Sequence, residues 1–499
     1  MPKKDRRKKK KLLQPESGVP AAPESSRFRF FVWICCFFFV AALLLRLDVI
    51  TAWPGAEGFS LDHALSNNRG DTMLSFLYGR FFSWGEAIDP DTQAVWLFPR
   101  ILSVTAVLGT AYFTYRWAGR LFGSASVRFG LLAAGASFFL PFFGKVATPD
   151  ALGLLGQAGF FWLVLLSGAD KEKQYLLPAG IFLLLGAIAA PLSTLVFGLA
   201  TILSARLLMG GSKQWMNLLF LLAIPLMVLL LQGIQGNRSY WFWGNHPFAY
   251  GKFLAYCFLG SLPVSGWLAG GLRDLVYKIR KQELRSQLLG AGLAIGLVTQ
   301  SLVFPLILAL LAGKQMQVYF REEHYPWRDW VRGFAVVHLV FAFIGAVVLL
   351  LGLTVTFPGG GFRAALGAVA AYWMFSLLGV IGLYGNRRDF SIGGTVLAGM
   401  LGVLFFWVQV YPYVELGRNW PERMVRQVEV PLPTYIPQTD EFSPALPYFR
   451  QAGIPVTTDS TAADLYLRSW PTTDTVSTAG IEIEGREVMW SRVYGLGTR

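Results

Sequence analysis

Three carboxylates and a lysine lie where a chain built mainly of apolar segments emerges from a membrane. Glu57 and Asp62 share one long polar loop, and Lys145 and Asp150 flank the short turn Lys145-Val146-Ala147-Thr148-Pro149-Asp150. Carboxylates at the mouth of a helical bundle are costly to desolvate and persist where a ligand, a proton or a metal uses them. A carboxylate placed there can take the proton of an attacking hydroxyl, a general-base contribution of roughly 10²–10⁴-fold. A Lys or Arg beside it can stabilise the charge developing on an anionic leaving group. Thr-Pro-Asp is also an ordinary helix start, with Asp as a cap and Lys snorkelling, and on spacing alone that plainer reading is favoured.

The elements that must position these groups are membrane spans. Hydrophobic residues make up 54% of 499 positions and charged residues 15%, and mean hydropathy is +0.46, which excludes an ordinary soluble globular chain. The net charge of +14 does not call for nucleic acid, because the Lys and Arg concentrate in the run Lys3 to Lys11 and in short loops, as the positive-inside rule requires. Cys35, Cys36 and Cys257 all fall in apolar runs and read as small hydrophobes, not as a disulfide or metal set. The stretch Phe28 to Leu47 is long enough to span and has no small-x-small cleavage site after it, so it reads as an uncleaved first helix with a cytoplasmic N-terminus.

Apolar segments follow at about 96–116, 125–143, 151–168, 175–190, 192–209, 215–233, 252–271, 334–356, 363–384 and 391–411. The segment 286–313 is one long helix or two short ones meeting near Gln300, Ser301 and Pro305. Two helices keep Lys314 to Arg332 and Arg387-Arg388 cytoplasmic, and one does not; the fold expected is therefore an all-α polytopic bundle of about thirteen transmembrane helices. Three regions follow: a basic cytoplasmic tail at 1–27, a membrane domain at 28–411, and a small extracytoplasmic α/β module at 412–499. In that module a helix is expected near Pro444 to Gln451, a strand at Ile454 to Thr458, and a strand pair around Gly485. The first outer loop, 48–95, has apolar positions at helical spacing with Trp53, Phe76, Phe81, Phe82 and Trp84, as expected for helices lying in the interface.

The order of parts and several motifs resemble the GT-C superfamily of membrane glycosyltransferases, particularly the bacterial branch with aminoarabinose transferases and protein mannosyltransferase-like enzymes. Ala56-Glu57-Gly58-Phe59-Ser60-Leu61-Asp62 resembles that family's acidic first-loop motif. Arg100-Ile101-Leu102-Ser103 and Arg120-Leu121-Phe122-Gly123 are similar to the opening and close of its second span. Lys145 to Leu152 matches its Arg-x-Ala-Thr-Pro-Asp-Ala-Leu turn at nearly every place, and Leu262-Pro263 its Leu-Pro-Trp. Ala56 stands where the family has the first acid of its pair, and Ser60 where it has an Arg.

The resemblance implies an enzyme that moves a sugar from a polyprenyl-phosphate donor to a glycolipid, glycan or protein acceptor of the bacterial envelope. The implied seat is the extracytoplasmic face of the plasma (inner) membrane, and the implied reaction a single, inverting displacement. It shifts the preference for Asp150 from cap to chemistry. Glu57 is the first candidate base and Asp62 the second, with Asp150 orienting the acceptor, partnering the base or binding metal; Lys145 and Arg100 join the substrate-binding set. The aromatic loop Asn237 to Lys252, whose rings suit a sugar, adds Arg238 and His246 to the substrate-binding set, His246 as a candidate proton carrier or metal ligand, although a lone His among Trp residues is more often only a polar tip. No histidine spacing marks a metal site; the cofactor stays open, with a divalent metal as a candidate. The rivals are a polytopic transporter or flippase, expected to show internal repeats and mid-membrane charges, and a non-catalytic lipid-binding relative.

Overall fold

Backbone polar groups in lipid must be satisfied within their own segment, so the apolar runs can only fold as helices. A computed structural model describes residues 26–45, 97–170, 173–210, 214–234, 248–321, 324–356, 361–412 and parts of 424–498. The basic tail, the first outer loop with Glu57 and Asp62, and the loop with Arg238 and His246 lie outside the described residues.

The helices are α1 (Ser26–Leu44), α2 (Leu97–Phe113), α3 (Ser124–Ala136), α4 (Phe139–Lys145), α5 (Pro149–Asp170), α6 (Leu176–Ala189), α7 (Pro191–Met209), α8 (Gln214–Leu221) and α9 (Ala223–Ile234). They continue with α10 (Phe248–Gly260), α11 (Ser265–Arg280), α12 (Leu284–Val298), α13 (Val303–Val318), α14 (Arg328–Thr356), α15 (Gly361–Tyr384) and α16 (Arg388–Phe405). Among the described residues six helices are long and apolar enough to cross a membrane, or eight if each of two bent pairs is one span. Five more apolar helices run 10–17 residues. The bundle is thus a polytopic helical membrane protein, and every expected apolar span forms helix within its described residues.

Two segments expected as single spans are bent, α3 against α4 by 62° and α10 against α11 by 58°. The bends meet: Phe138 N donates to Gly260 O at 2.9 Å, so each break supplies a partner for backbone that the other frees. The doubtful stretch 286–313 is two helices. Gln300 sits between them at φ 52°, with Ser301 N on Gly296 O at 2.8 Å and Gln300 N on Leu297 O at 3.1 Å, the double bond of a Schellman cap.

Helices approach closely where small residues face each other. A Cβ on Gly313 would run into the backbone of Gly130, which locks α13 to α3. Other parts of the bundle stay open to lipid: only 11% of the apolar window of Arg328–Thr354 is buried. Cys35 and Cys257 are buried and Cys36 is exposed.

Beyond the last helix lies a five-stranded sheet in the order β2-β1-β3-β5-β4, with β1 at Thr434–Tyr435, β2 at Val456–Thr457, β3 at Leu465–Pro471, β4 at Ile483–Met489 and β5 at Arg492–Thr498. β1 pairs in parallel with β2 and β3, while β5 runs antiparallel to β3 and β4. Met424, Ile436, Phe449, Ile454, Leu467 and Leu496 form its core. The expected hairpin is shifted. Gly485 lies inside β4 at a register shift between Glu484 and Arg486, a bulge position that suits glycine, and the pairing of β4 with β5 runs on to Met489 opposite Arg492.

Candidate functional site at the Asp150 end of the bundle

Pro149 opens α5, where a missing N–H leaves no bond unmade and the fixed φ suits the first turn. Asp150 falls in that first turn, where a carboxylate is favoured by the helix dipole. Its side chain is half-buried and takes a hydrogen bond from Thr148. Among the described residues it makes no ion pair, with Lys145 or with any other cation.

Lys145 is turned elsewhere. It is 2% exposed, and its Nζ donates to Ala42 O at 3.0 Å and to Leu45 O, with the ring of Trp407 5.4 Å away. Helix C-termini leave carbonyls without intrahelical partners, and a cation there also suits the negative end of the dipole. Lys145 therefore fixes the end of α1, from which the segment carrying Glu57 departs. The expected alternatives for this lysine, snorkelling and pairing with Asp150, are both replaced by burial and carbonyl capping.

Arg100 lies in the first turn of α2 and is 1% exposed. Trp162 of α5 bonds Thr114 Oγ1 at 3.2 Å, and Leu155 packs against Gly109. These contacts run α2 and α5 side by side in one direction, which brings Arg100 to the level of the 145–150 turn.

Two helical turns below Asp150 a polar floor crosses the bundle. Gln157 Nε2 donates to Ser193 Oγ at 3.4 Å and Thr194 Oγ1 at 3.2 Å, its Oε1 accepts from Ser301 Oγ, and Ser193 Oγ donates to Thr299 O at 3.3 Å. Gln157, Ser193, Thr194, Thr299 and Ser301 are all buried. Gln157 thus joins three starts or breaks: the start of α5, the Ala190-Pro191 break before α7 and the turn between α12 and α13. A buried amide with partners on two other segments rigidifies the backbone that presents the carboxylate above it. Reading the sequence missed this network; its one signal was a glutamine inside the apolar run Leu154-Leu155-Gly156-Gln157-Ala158-Gly159-Phe160.

Among the described residues no group of three or more His, Cys, Asp and Glu stands ready to hold a metal. No family model matches the sequence, and no match is found among curated proteins. Two solved structures match along nearly the whole length. One is ArnT from Cupriavidus metallidurans in the apo state, with a TM-score of 0.61 and 14% identity, covering 94% of this chain and 98% of that one. The other is the same protein bound to undecaprenyl phosphate, with a TM-score of 0.60, 14% identity and the same coverage. The chain has the ArnT fold. In this instance of the ArnT fold, the Thr148-Pro149-Asp150 turn and the capped end of α1 are adjoining pieces of one membrane face.

Proposed function

We propose that the chain is an integral membrane glycosyltransferase that moves a sugar from a polyprenyl-phosphate donor to an envelope acceptor. The observation that carries the reading is the ArnT fold over 94% of the chain, in a protein also solved with undecaprenyl phosphate bound. A lipid-linked donor presents its headgroup at the membrane surface and needs no nucleotide-binding fold, which suits a chain without a Rossmann or P-loop pattern. The working face is then the extracytoplasmic one, with 1–27 inside, the membrane domain at 28–411, and the sheet-bearing region 412–499 outside.

In the proposed reaction the acceptor hydroxyl attacks the anomeric carbon, a carboxylate takes its proton and the polyprenyl phosphate leaves, inverting the centre. Glu57 is assigned as the base with Asp62 in reserve, and Asp150, held by Thr148 and without an ion pair among the described residues, orients the acceptor, partners the base or supplies one metal ligand. Arg100, Arg238 and His246 are assigned to the donor. Lys145 serves the same site chiefly by holding the root of the first loop, since two of its three donors go to the carbonyls of Ala42 and Leu45.

Purified protein given a polyprenyl-phosphate sugar and envelope acceptors tests this. Glu57→Gln and Asp150→Asn should each lower transfer at least roughly a hundredfold, and the double variant much less than the product of the two, because groups acting together are non-additive. Near-normal transfer in Glu57→Gln would move the base to Asp62. Near-normal transfer in Glu57→Gln, Asp62→Asn and Asp150→Asn alike, or translocation without transfer, would overturn the glycosyltransferase reading. Orientation is tested separately by reporter fusions, which should place Arg387 in the cytoplasm and Asp459 outside.

A further inference from the structure

A second polar feature lies in another part of the bundle, where α11, α14, α15 and α16 enclose a cavity of about 20 Å³ lined by His338, Ser376, Ser391, Thr395, Trp267 and Val331. His338 and Ser391 are 5% and 1% exposed. His338 Nε2 lies 3.2 Å from Ser376 Oγ, and Thr395 Oγ1 accepts from Trp267 Nε1 at 3.4 Å and donates to Ser391 O at 2.9 Å. Two polar atoms on this lining have no protein partner among the described residues, His338 Nδ1 and Ser391 Oγ.

Leaving a buried polar group unsatisfied costs about 1–3 kcal/mol. Both groups could have been apolar at no loss of shape, yet both residues line one small space. We propose that this cavity is a binding site for a single internal water bridging His338 Nδ1 and Ser391 Oγ. Size decides the number: a water needs roughly 10–15 Å³ by this measure and two to four polar partners. The cavity has room for one and offers His338, Ser391 and Ser376. Water also suits either histidine tautomer, since it can donate to Nδ1 or accept from Nδ1–H. A metal ion would want more ligands than the described residues bring together there.

A contrasting cavity of about 10 Å³ between α3, α4, α5 and α13 is lined by Phe139, Leu140, Phe143, Leu154 and Pro305. Its one hydroxyl, Ser137 Oγ, is already bonded to Ala134 O at 2.5 Å. Apolar cavities stay dry, so the second space serves as an internal control.

X-ray radiolytic labelling of the full chain in lipid nanodiscs tests the proposal, because hydroxyl radicals form in place from bound water. Trp267 should be labelled faster than Trp162, which is fully buried and lines neither cavity. Ser391→Ala should reduce that labelling, and His338→Phe, which removes both ring nitrogens and fills space, should bring it down to the Trp162 level. If His338→Phe fails to fold, the milder Ser391→Ala still carries the test. A density map that resolves other internal waters should show one peak between His338 and Ser391 and none beside Phe143. Labelling of Trp267 no faster than Trp162 in the unaltered chain, or a peak-free His338 cavity in such a map, would overturn it.

Discussion

Two aspartates of the bundle, Asp150 and Asp274, are treated in opposite ways. Asp274 is enclosed by its own charge complement: Lys278 at 3.0 Å, Lys314 at 3.5 Å and the amide of Gln315 at 3.4 Å. Around it Arg273 lies over Trp327 and Trp330, and Arg332 over Tyr384 and against Tyr319 Oη. Asp150 has a hydroxyl beside it and no ion pair among the described residues. The nearest lysine in sequence is turned to backbone carbonyls. A carboxylate whose charge is already balanced contributes to holding helices together; one whose charge is left over is suited to act on something that arrives.

The largest effect should separate the two aspartates. Asp150→Asn is expected to lower transfer at least roughly a hundredfold with little change in melting temperature, while Asp274→Asn leaves turnover near normal and costs about 1–3 kcal/mol of stability. Paired activity and thermal-unfolding measurements check this, and a turnover loss in Asp274→Asn equal to that in Asp150→Asn would dissolve the contrast.

Lys145 comes next. Lys145→Met should strip the carbonyls of Ala42 and Leu45 of their cation, lowering both stability and transfer. Lys145→Arg should restore most of the stability and less of the transfer, because its planar fork meets carbonyls and phosphate at different angles. Donor titration distinguishes the two contributions: an unchanged donor affinity in Lys145→Met would make the lysine wholly a clamp.

The smallest effect concerns the turn beside the polar floor. Gln300 holds a positive φ at roughly 1–2 kcal/mol for a residue with a Cβ, and its buried Oε1 has no partner among the described residues. Gln300→Gly is therefore expected to raise stability by about 1 kcal/mol. A loss of stability in chemical denaturation would mean the side chain is bonded in the working protein.

Most of the bundle was legible because hydropathy and charge act segment by segment. The break at 299–302 could be read from positive-inside bookkeeping alone, and the turn 145–150 from its motif. What stayed hidden depends on pairs distant in sequence. That Lys145 faces Ala42, that Gln157 reaches Ser193 and Ser301, and that His338 shares a cavity with Ser391 are facts of packing, invisible to periodicity. The strand β3 escaped because Arg468, Ser469 and Pro471 blur its alternation, and Gly485 was taken for a turn when it sits at a bulge. Glu57 and the loop at 235–247, read from motif and composition, lie outside the described residues.

The capped end of α1 also constrains the order in which the protein can be made. The ammonium that satisfies Ala42 O and Leu45 O arrives 103 and 100 residues later in the chain, and the ring facing it, Trp407, arrives near the end. At the other end of α1, Arg388 lies over Phe28 at 5.4 Å. The lodging of α1 is thus completed by residues made more than three hundred positions after it. Until Lys145 is made, the carbonyls of Ala42 and Leu45 lack that cation. A ribosome stalled between residues 145 and 388 would leave α1 capped by Lys145 but without the cation over Phe28, and such a nascent chain should be a form readily taken by membrane quality-control proteases.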